Sequence, residues 1–220
     1  MSTVAVIDYG MGNLHSIAKA LQQAAPSPQG IVVTHDPEQI RNADRIVFPG
    51  VGAMRDCMAR LHALELVNVI RDVSRQKPFL GICLGMQALL DHSEENDGID
   101  GLGIIPGQVR HFDTRLTSDE GAALKIPHMG WNRVDPQKDH PLWHGIAPGT
   151  WFYFVHSYHV CPSDPADQAA TTNYPVPFIA ALAHDKLFAV QFHPEKSQTA
   201  GLRLLANFLI WDGLCKPSST

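Results

Sequence analysis

A cysteine and, far downstream, a histidine and a glutamate are the residues here best suited to chemistry. Cys83 sits in Pro78-Phe79-Leu80-Gly81-Ile82-Cys83-Leu84-Gly85-Met86-Gln87. The apolar run before it predicts a strand and the run after it, through Leu90, a helix, so the thiol stands on the sharp turn between them. Gly81 falls where a Cβ would meet the neighbouring strand, and Gly85 lets the first helical turn pack closely. Backbone N–H groups at that helix start favour thiolate over thiol, and the Leu84 N–H is a natural donor to an oxyanion. His193 and Glu195 lie in Gln191-Phe192-His193-Pro194-Glu195, after the strand pattern Leu187–Gln191. Alternate side chains of an extended segment point the same way, and Pro194 stiffens it. Thiolate, imidazole and carboxylate together make a nucleophilic triad. The imidazole moves protons, and the carboxylate fixes its tautomer and supports the imidazolium. The chemistry is acyl transfer or hydrolysis through a thioester.

Elements that position these groups are read from periodicity. Val4–Ile7, Ile31–Val33, Arg45–Phe48 and Pro78–Ile82 read as short buried strands, and Ser16–Gln23 as a helix. Met58, Leu61, Leu64, Val67 and Ile70 predict one helix from about Ala53 to Ser74. Such alternation means a parallel sheet covered on both faces. Pro49-Gly50-Val51-Gly52 closes the third strand at its carboxyl edge, where open α/β sheets place ligands, and Val51 or Gly52 can offer a second oxyanion N–H. Beyond residue 100 the texture changes. Val109–Phe112, Trp131–Val134 and Trp151–Val155 read as strands of a mixed or antiparallel sheet, Ile179–Ala183 and Leu187–Gln191 as a hairpin, and Gln198–Trp211 as a closing amphipathic helix. The expected fold is α/β: an open, mostly parallel sheet with helices on both faces plus a smaller mixed or antiparallel sheet, in a single domain spanning 1–220.

Composition narrows the function classes. The chain has 220 residues, 45% hydrophobic and 18% charged, which describes a globular chain with a sizeable core. A formal net charge of −5 argues against a nucleic-acid footprint. No apolar stretch approaches membrane-spanning length. The four cysteines, Cys57, Cys83, Cys161 and Cys215, form no CxxC pair, and Met1-Ser2-Thr3 leads straight into a strand pattern, so a reducing cytoplasm is expected. The 12 histidines are scattered without metal-ligand spacing, and no metal site is expected. Gly10-x-Gly12 lacks the third glycine of a dinucleotide loop.

GICLGMQ at 81–87, FPGVG at 48–52 and FHPEKS at 192–197 resemble the class I, triad-type glutamine amidotransferases over nearly the whole chain. These motifs specify only the superfamily and leave open another acceptor synthase or a non-catalytic regulatory subunit. Asp8-Tyr9-Gly10-Met11-Gly12-Asn13-Leu14, Pro127-His128-Met129-Gly130-Trp131-Asn132 and Tyr153-Phe154-Val155-His156-Ser157-Tyr158 narrow the resemblance to the glutaminase subunits of imidazole glycerol phosphate synthases. It implies glutamine bound near Cys83 and Gln87, thioester hydrolysis to glutamate, and ammonia passed to a separate (β/α)8-barrel cyclase subunit in a heterodimer. No metal or organic cofactor is implied. Trp131, Tyr153 and Tyr158 are interface candidates, and Asn13 and Lys196 lie on loops suited to facing the partner. His128 and His156 fit structural and functional roles equally.

Overall fold

The computed structural model describes residues 2–113 and 125–214. Cys215 lies outside them. The chain runs β1 (Thr3–Ile7), α1 (Leu14–Ala24), β2 (Gly30–Thr34), α2 (Pro37–Asn42), β3 (Arg45–Gly50), α3 (Met54–Ala63), α4 (Leu66–Gln76), β4 (Phe79–Cys83) and the one-turn α5 (Leu84–Gln87). There follow β5 (Leu90–Ser93), β6 (Ile99–Asp100), β7 (Ile105–His111), β8 (His128–Pro136), β9 (Thr150–His156), β10 (Tyr158–Pro162), β11 (Gln168–Asn173), β12 (Pro177–His184), β13 (Leu187–Val190) and α6 (Gln198–Ile210).

Nine strands form the main sheet in the order β2-β1-β3-β4-β13-β12-β11-β8-β9. From β2 to β13 neighbours are parallel, and from β13 to β9 antiparallel. The second sheet has the order β10-β7-β5-β6 and mixes parallel and antiparallel pairs. The two-residue period of a strand sorts the interior into two cores. Val4, Val6, Val47, Leu80, Ile82, Phe188 and Val190 face one side, where Ile17 and Leu21 of α1 and Leu204, Leu205 and Phe208 of α6 cover them. Ala5, Ile7, Ile46, Phe48, Phe79, Leu187 and Ala189 face the other, beneath α3, α4 and the second sheet. The large sheet flanked by helices and the smaller mixed sheet are as the sequence predicts, but the large sheet is parallel only from β2 to β13 and antiparallel over its other half.

Three local readings are corrected. The single helix expected from Ala53 to Ser74 is two helices, broken at Glu65, whose φ of 57° is left-handed. A spacing of three residues falls behind the α-helical period by about 60° per step, so the apolar stripe cannot stay on one face. The break resets it, and Met54, Cys57, Met58 and Leu61 are followed by Leu66, Val69, Ile70 and Val73 as buried positions. The helix expected from Cys83 to Leu90 stops after one turn. The Ala88 carbonyl accepts from Leu102 N–H at 2.7 Å and the Leu89 carbonyl from Ile104 and Ile105 N–H at 2.9 and 3.0 Å, so the backbone just past the first turn is engaged by residues 102–105 and leads into β5. Of the segments read as strands of a second sheet, Val109–Phe112 supplies β7 there, whereas Trp131–Val134 and Trp151–Val155 lie in β8 and β9 and extend the main sheet.

Candidate active site

β4 ends at Cys83, and the chain turns there through φ 54° and ψ −112°, backbone angles that a side-chain-bearing residue adopts only under constraint. The constraint comes from close packing. A Cβ at Gly85 would lie 2.0 Å from the Phe48 carbonyl oxygen, and one at Gly50 would lie 2.4 Å from Tyr9 Oη. Gly81 is less demanding, its nearest contact being Ala189 Cβ at 3.1 Å. Because α5 is a single turn, its macrodipole is small. What it offers the sulfur is the set of first-turn N–H groups that no helix of that length can satisfy.

β13 delivers the histidine. Beyond Val190 the chain runs on to His193, whose N–H donates to the Tyr153 carbonyl at 2.9 Å, then winds into a 3-10 turn over Pro194–Lys196. His193 Nδ1 and Glu195 Oε1 are 2.8 Å apart, both side chains nearly fully buried. The turn, not an extended strand, brings them together, which corrects the expected geometry while keeping the pair. Ser197 Oγ–H donates to the His193 carbonyl at 2.6 Å and locks the turn. His193 Nε2 makes no hydrogen bond of ordinary geometry and is the ring nitrogen left for the Cys83 sulfur. Burial is the largest single influence on this imidazole and opposes its charge. The Cys83 sulfur and the Glu195 carboxylate together outweigh it and push the pKa up to about 10.

A cleft of about 250 Å³ opens over the sulfur, walled by Val51, Gly52, Cys83, Leu84, Gln87, Glu95, Val155, His156, Ser157, Tyr158 and His193. Val51 is 39% exposed, and Gly52 has φ +97°. Gly50, the register partner of Cys83, is buried beneath the wall. Gln87 reaches the wall but is not a free reader of a ligand. Its Nε2 donates to the Tyr158 carbonyl at 3.1 Å and to Gln191 Oε1 at 2.9 Å. Two participants were not legible in the sequence. Glu95 comes from the loop after β5 and accepts from Met54 N–H at 2.8 Å, and no local pattern marks it. Gln191 is fully buried and donates its Nε2–H to Cys83 Sγ at 3.6 Å. Its only signal is a polar residue at the end of an apolar strand.

Beside the cleft lies a second histidine pair. Asn132 Nδ2 is 3.2 Å from His128 Nε2, His128 Nδ1 is 2.9 Å from His156 Nε2, and His156 Nδ1 is 2.8 Å from the Tyr158 carbonyl oxygen. The carbonyl can only accept, so His156 carries its proton on Nδ1 and His128 donates to it. Burial pushes His128 down to about 4 and His156 to about 3, and both are neutral rings in an ordered chain. On the opposite face of the same strands, Met129, Trp131 and Trp151 are 62%, 42% and 49% exposed. Arg133 lies over Trp151 and Lys196 over Tyr153. Asn13 is occupied as the cap of α1.

An elbow cysteine facing a buried histidine–carboxylate pair can attack an acyl carbon and return a proton to its leaving group. Comparison with known proteins agrees. The family described as "Glutamine amidotransferase class-I" matches residues 5–211. The chain belongs to the class-I glutamine amidotransferases. Within them it is an enzyme of the imidazole glycerol phosphate synthase HisH type. It is 65% identical over 215 residues to the protein named imidazole glycerol phosphate synthase subunit HisH of Methylococcus capsulatus, covering 96% of this chain and 98% of that one. The Pseudomonas putida protein of the same name is 58% identical, covering 97% and 99%. Among solved structures, a glutamine amidotransferase superposes with a TM-score of 0.68 at 15% identity, covering 94% of this chain and 96% of that one. The glutaminase domain of Trypanosoma brucei CTPS, solved with bound acivicin, gives 0.60 at 18%, covering 98% of each. These two likenesses speak for the fold of the amidotransferase.

Proposed function

We propose that this chain hydrolyses glutamine to glutamate and ammonia, with Cys83 as nucleophile, His193 as acid and base, and Glu195 as the carboxylate that orients His193. The Cys83 thiolate adds to the side-chain amide carbon. The oxyanion is met by the Leu84 N–H and by Val51 or Gly52 N–H from the Gly50–Gly52 turn. His193 Nε2–H protonates the departing nitrogen and ammonia leaves. Water then attacks the thioester and gives a proton back to His193. The thiolate is released and glutamate departs. Gln87 borders the amino-acid end of the substrate. The single observation that carries this reading is the 2.8 Å His193–Glu195 pair set behind a cysteine on a strained elbow.

The ammonia goes, in this proposal, to a separate (β/α)8-barrel cyclase subunit, and the pair forms imidazole glycerol phosphate and aminoimidazole carboxamide ribotide in histidine biosynthesis. The relatives' name as a synthase subunit supports a partner. So does the exposed apolar strip of Met129, Trp131 and Trp151 beside a cleft that shares Val155 of the same strand. A closed route suits the chemistry, since ammonia released into water is protonated and loses its nucleophilicity. The proposal treats residues 1–220 as one amidotransferase domain and places it in the cytoplasm. There Cys57, Cys83 and Cys161, all free, stay reduced. No helix among the described residues is long and apolar enough to cross a membrane.

Steady-state assays with the cyclase partner test the whole reading. Cys83→Ala is expected to abolish glutamine-dependent synthesis and leave ammonia-dependent synthesis intact. Retention of glutamine use by that variant removes Cys83 from the mechanism. Glutaminase turnover is expected to be low in the isolated chain and to rise with the liganded partner, as a rearrangement of the Pro49–Gly52 turn supplies the second N–H. Full activity of the isolated chain refutes that gating.

A further inference from the structure

Gln191 is a buried amide whose place is not explained by packing. It is 0% exposed, at the end of β13, in an otherwise apolar layer. A primary amide in such a place must have its hydrogen bonds made within the protein. Its orientation follows from a fixed starting point. The Tyr158 carbonyl can only accept, so the Gln87 atom 3.1 Å from it is Nε2. That same nitrogen is 2.9 Å from the Gln191 side chain, which must therefore present its oxygen. The Gln191 nitrogen is left facing Cys83 Sγ at 3.6 Å. The Tyr158 carbonyl is itself held by His156 Nδ1–H at 2.8 Å, so the chain of donors starts from a rigid acceptor.

We infer that Gln191 is a third partner of the nucleophile: its Nε2–H, aimed by Gln87, holds the Cys83 sulfur in place and favours its thiolate form. This rests on Cys83 being the nucleophile. The ionisable groups facing the sulfur are His193 after β13, Tyr9 after β1, Glu95 after β5 and His156 at the end of β9. Only His193 among them is placed to oppose a negative charge. Gln191 adds a neutral donor from below the sulfur, and because it is neutral it keeps donating whatever the state of the imidazole. Alignment follows too. The Val155 carbonyl, 4.0 Å from the sulfur, can accept only from a thiol hydrogen and so favours the protonated form. Gln191 competes with it.

The test is the pH dependence of Cys83 alkylation by iodoacetamide in the full chain, with melting temperature and steady-state glutaminase in the partner complex measured alongside. Gln191→Met keeps the shape and removes the donor. It is expected to move the alkylation midpoint up by roughly one pH unit, the size of one hydrogen bond to a charged acceptor. It is also expected to lower kcat about tenfold with little change in KM, as the productive thiolate becomes scarcer. Gln191→Glu, which sets a carboxylate by the sulfur, is expected to move the midpoint further in the same direction. An unchanged midpoint in a folded Gln191→Met chain overturns the proposal and leaves Gln191 a packing residue. Should both variants fail to fold, the wild-type chain decides. The Gln191 side-chain amide proton resonance must shift as Cys83 titrates, and an invariant resonance overturns the inference. Failure of the reading beneath it has a different signature: alkylated Cys83 with glutaminase undiminished.

Discussion

Two buried histidines line one cleft, and each has its own partner: Glu195 for His193 and His128 for His156. His193 with Glu195 and His156 with His128 are all nearly sealed from solvent, at 2%, 6% and 3% exposure for the three rings. Yet His193 is pushed up to about 10, while His156 and His128 are pushed down to about 3 and 4. Burial is common to both and opposes charge in both. The partners make the difference. The Glu195 carboxylate on one nitrogen and the Cys83 sulfur on the other hold the first ring's pKa up. A carbonyl and another imidazole turn the second into a neutral link. In the proposed mechanism the first pair changes protonation state, whereas the second holds the Tyr158 carbonyl through the His156 Nδ1–H.

Breaking the charged pair should have the largest effect. Glu195→Gln keeps the shape but withdraws the charge. We expect the His193 pKa to fall and glutamine-dependent turnover to drop by about ten-thousandfold. Turnover against pH and titration of the His193 ring by NMR check this. Next in size is the backbone beneath it. Gly85→Ala would set a methyl 2.0 Å from the Phe48 oxygen, and we expect a loss of about 3 kcal/mol in urea unfolding together with displacement of the elbow. Breaking the neutral pair should cost stability more than chemistry. His156→Phe leaves the His128 Nδ1–H without an acceptor, for a loss of about 1–3 kcal/mol in the same assay.

The smallest effect sharpens the contrast by its sign. His156 and His128 resist protonation in the folded chain, so as pH falls below their ordinary 6.5 the unfolded chain binds protons the folded one does not. Their stabilising contribution is lost between about 6.5 and their folded values. His193 is raised, so its contribution is full below 6.5 and is lost as pH rises through about 10. Urea unfolding across pH should show an acid limb that flattens in His156→Phe and an alkaline limb that flattens in Glu195→Gln. Exchanged effects would undo the assignment of charge to the two pairs.

What the sequence disclosed follows the range of the forces involved. Cys83 with its glycines, and His193 with Glu195, stand in short local patterns, and the parallel strands carry apolar runs that need no context. The break at Glu65 carries neither glycine nor proline and is set by which residues α3 and α4 must bury. The short α5 is decided by residues 102–105, which bond the Ala88 and Leu89 carbonyls just beyond it. Strand β11, Gln168-Ala169-Ala170-Thr171-Thr172-Asn173, has no strong apolar alternation and forms because β12 and β8 flank it. Glu95 and Gln191 reach the site only through tertiary pairing, so no spacing along the chain reports them.

In the proposed reaction the Cys83 sulfur takes up the γ-glutamyl group. The most direct measurement is rapid acid quenching of the partner-activated complex during glutamine turnover, followed by peptide mass spectrometry. The peptide containing Cys83 should carry the mass of one γ-glutamyl group, and the same peptide of Cys83→Ser quenched in parallel should not. An acyl group trapped on Cys57, Cys161 or another residue while Cys83 stays free would contradict that reaction.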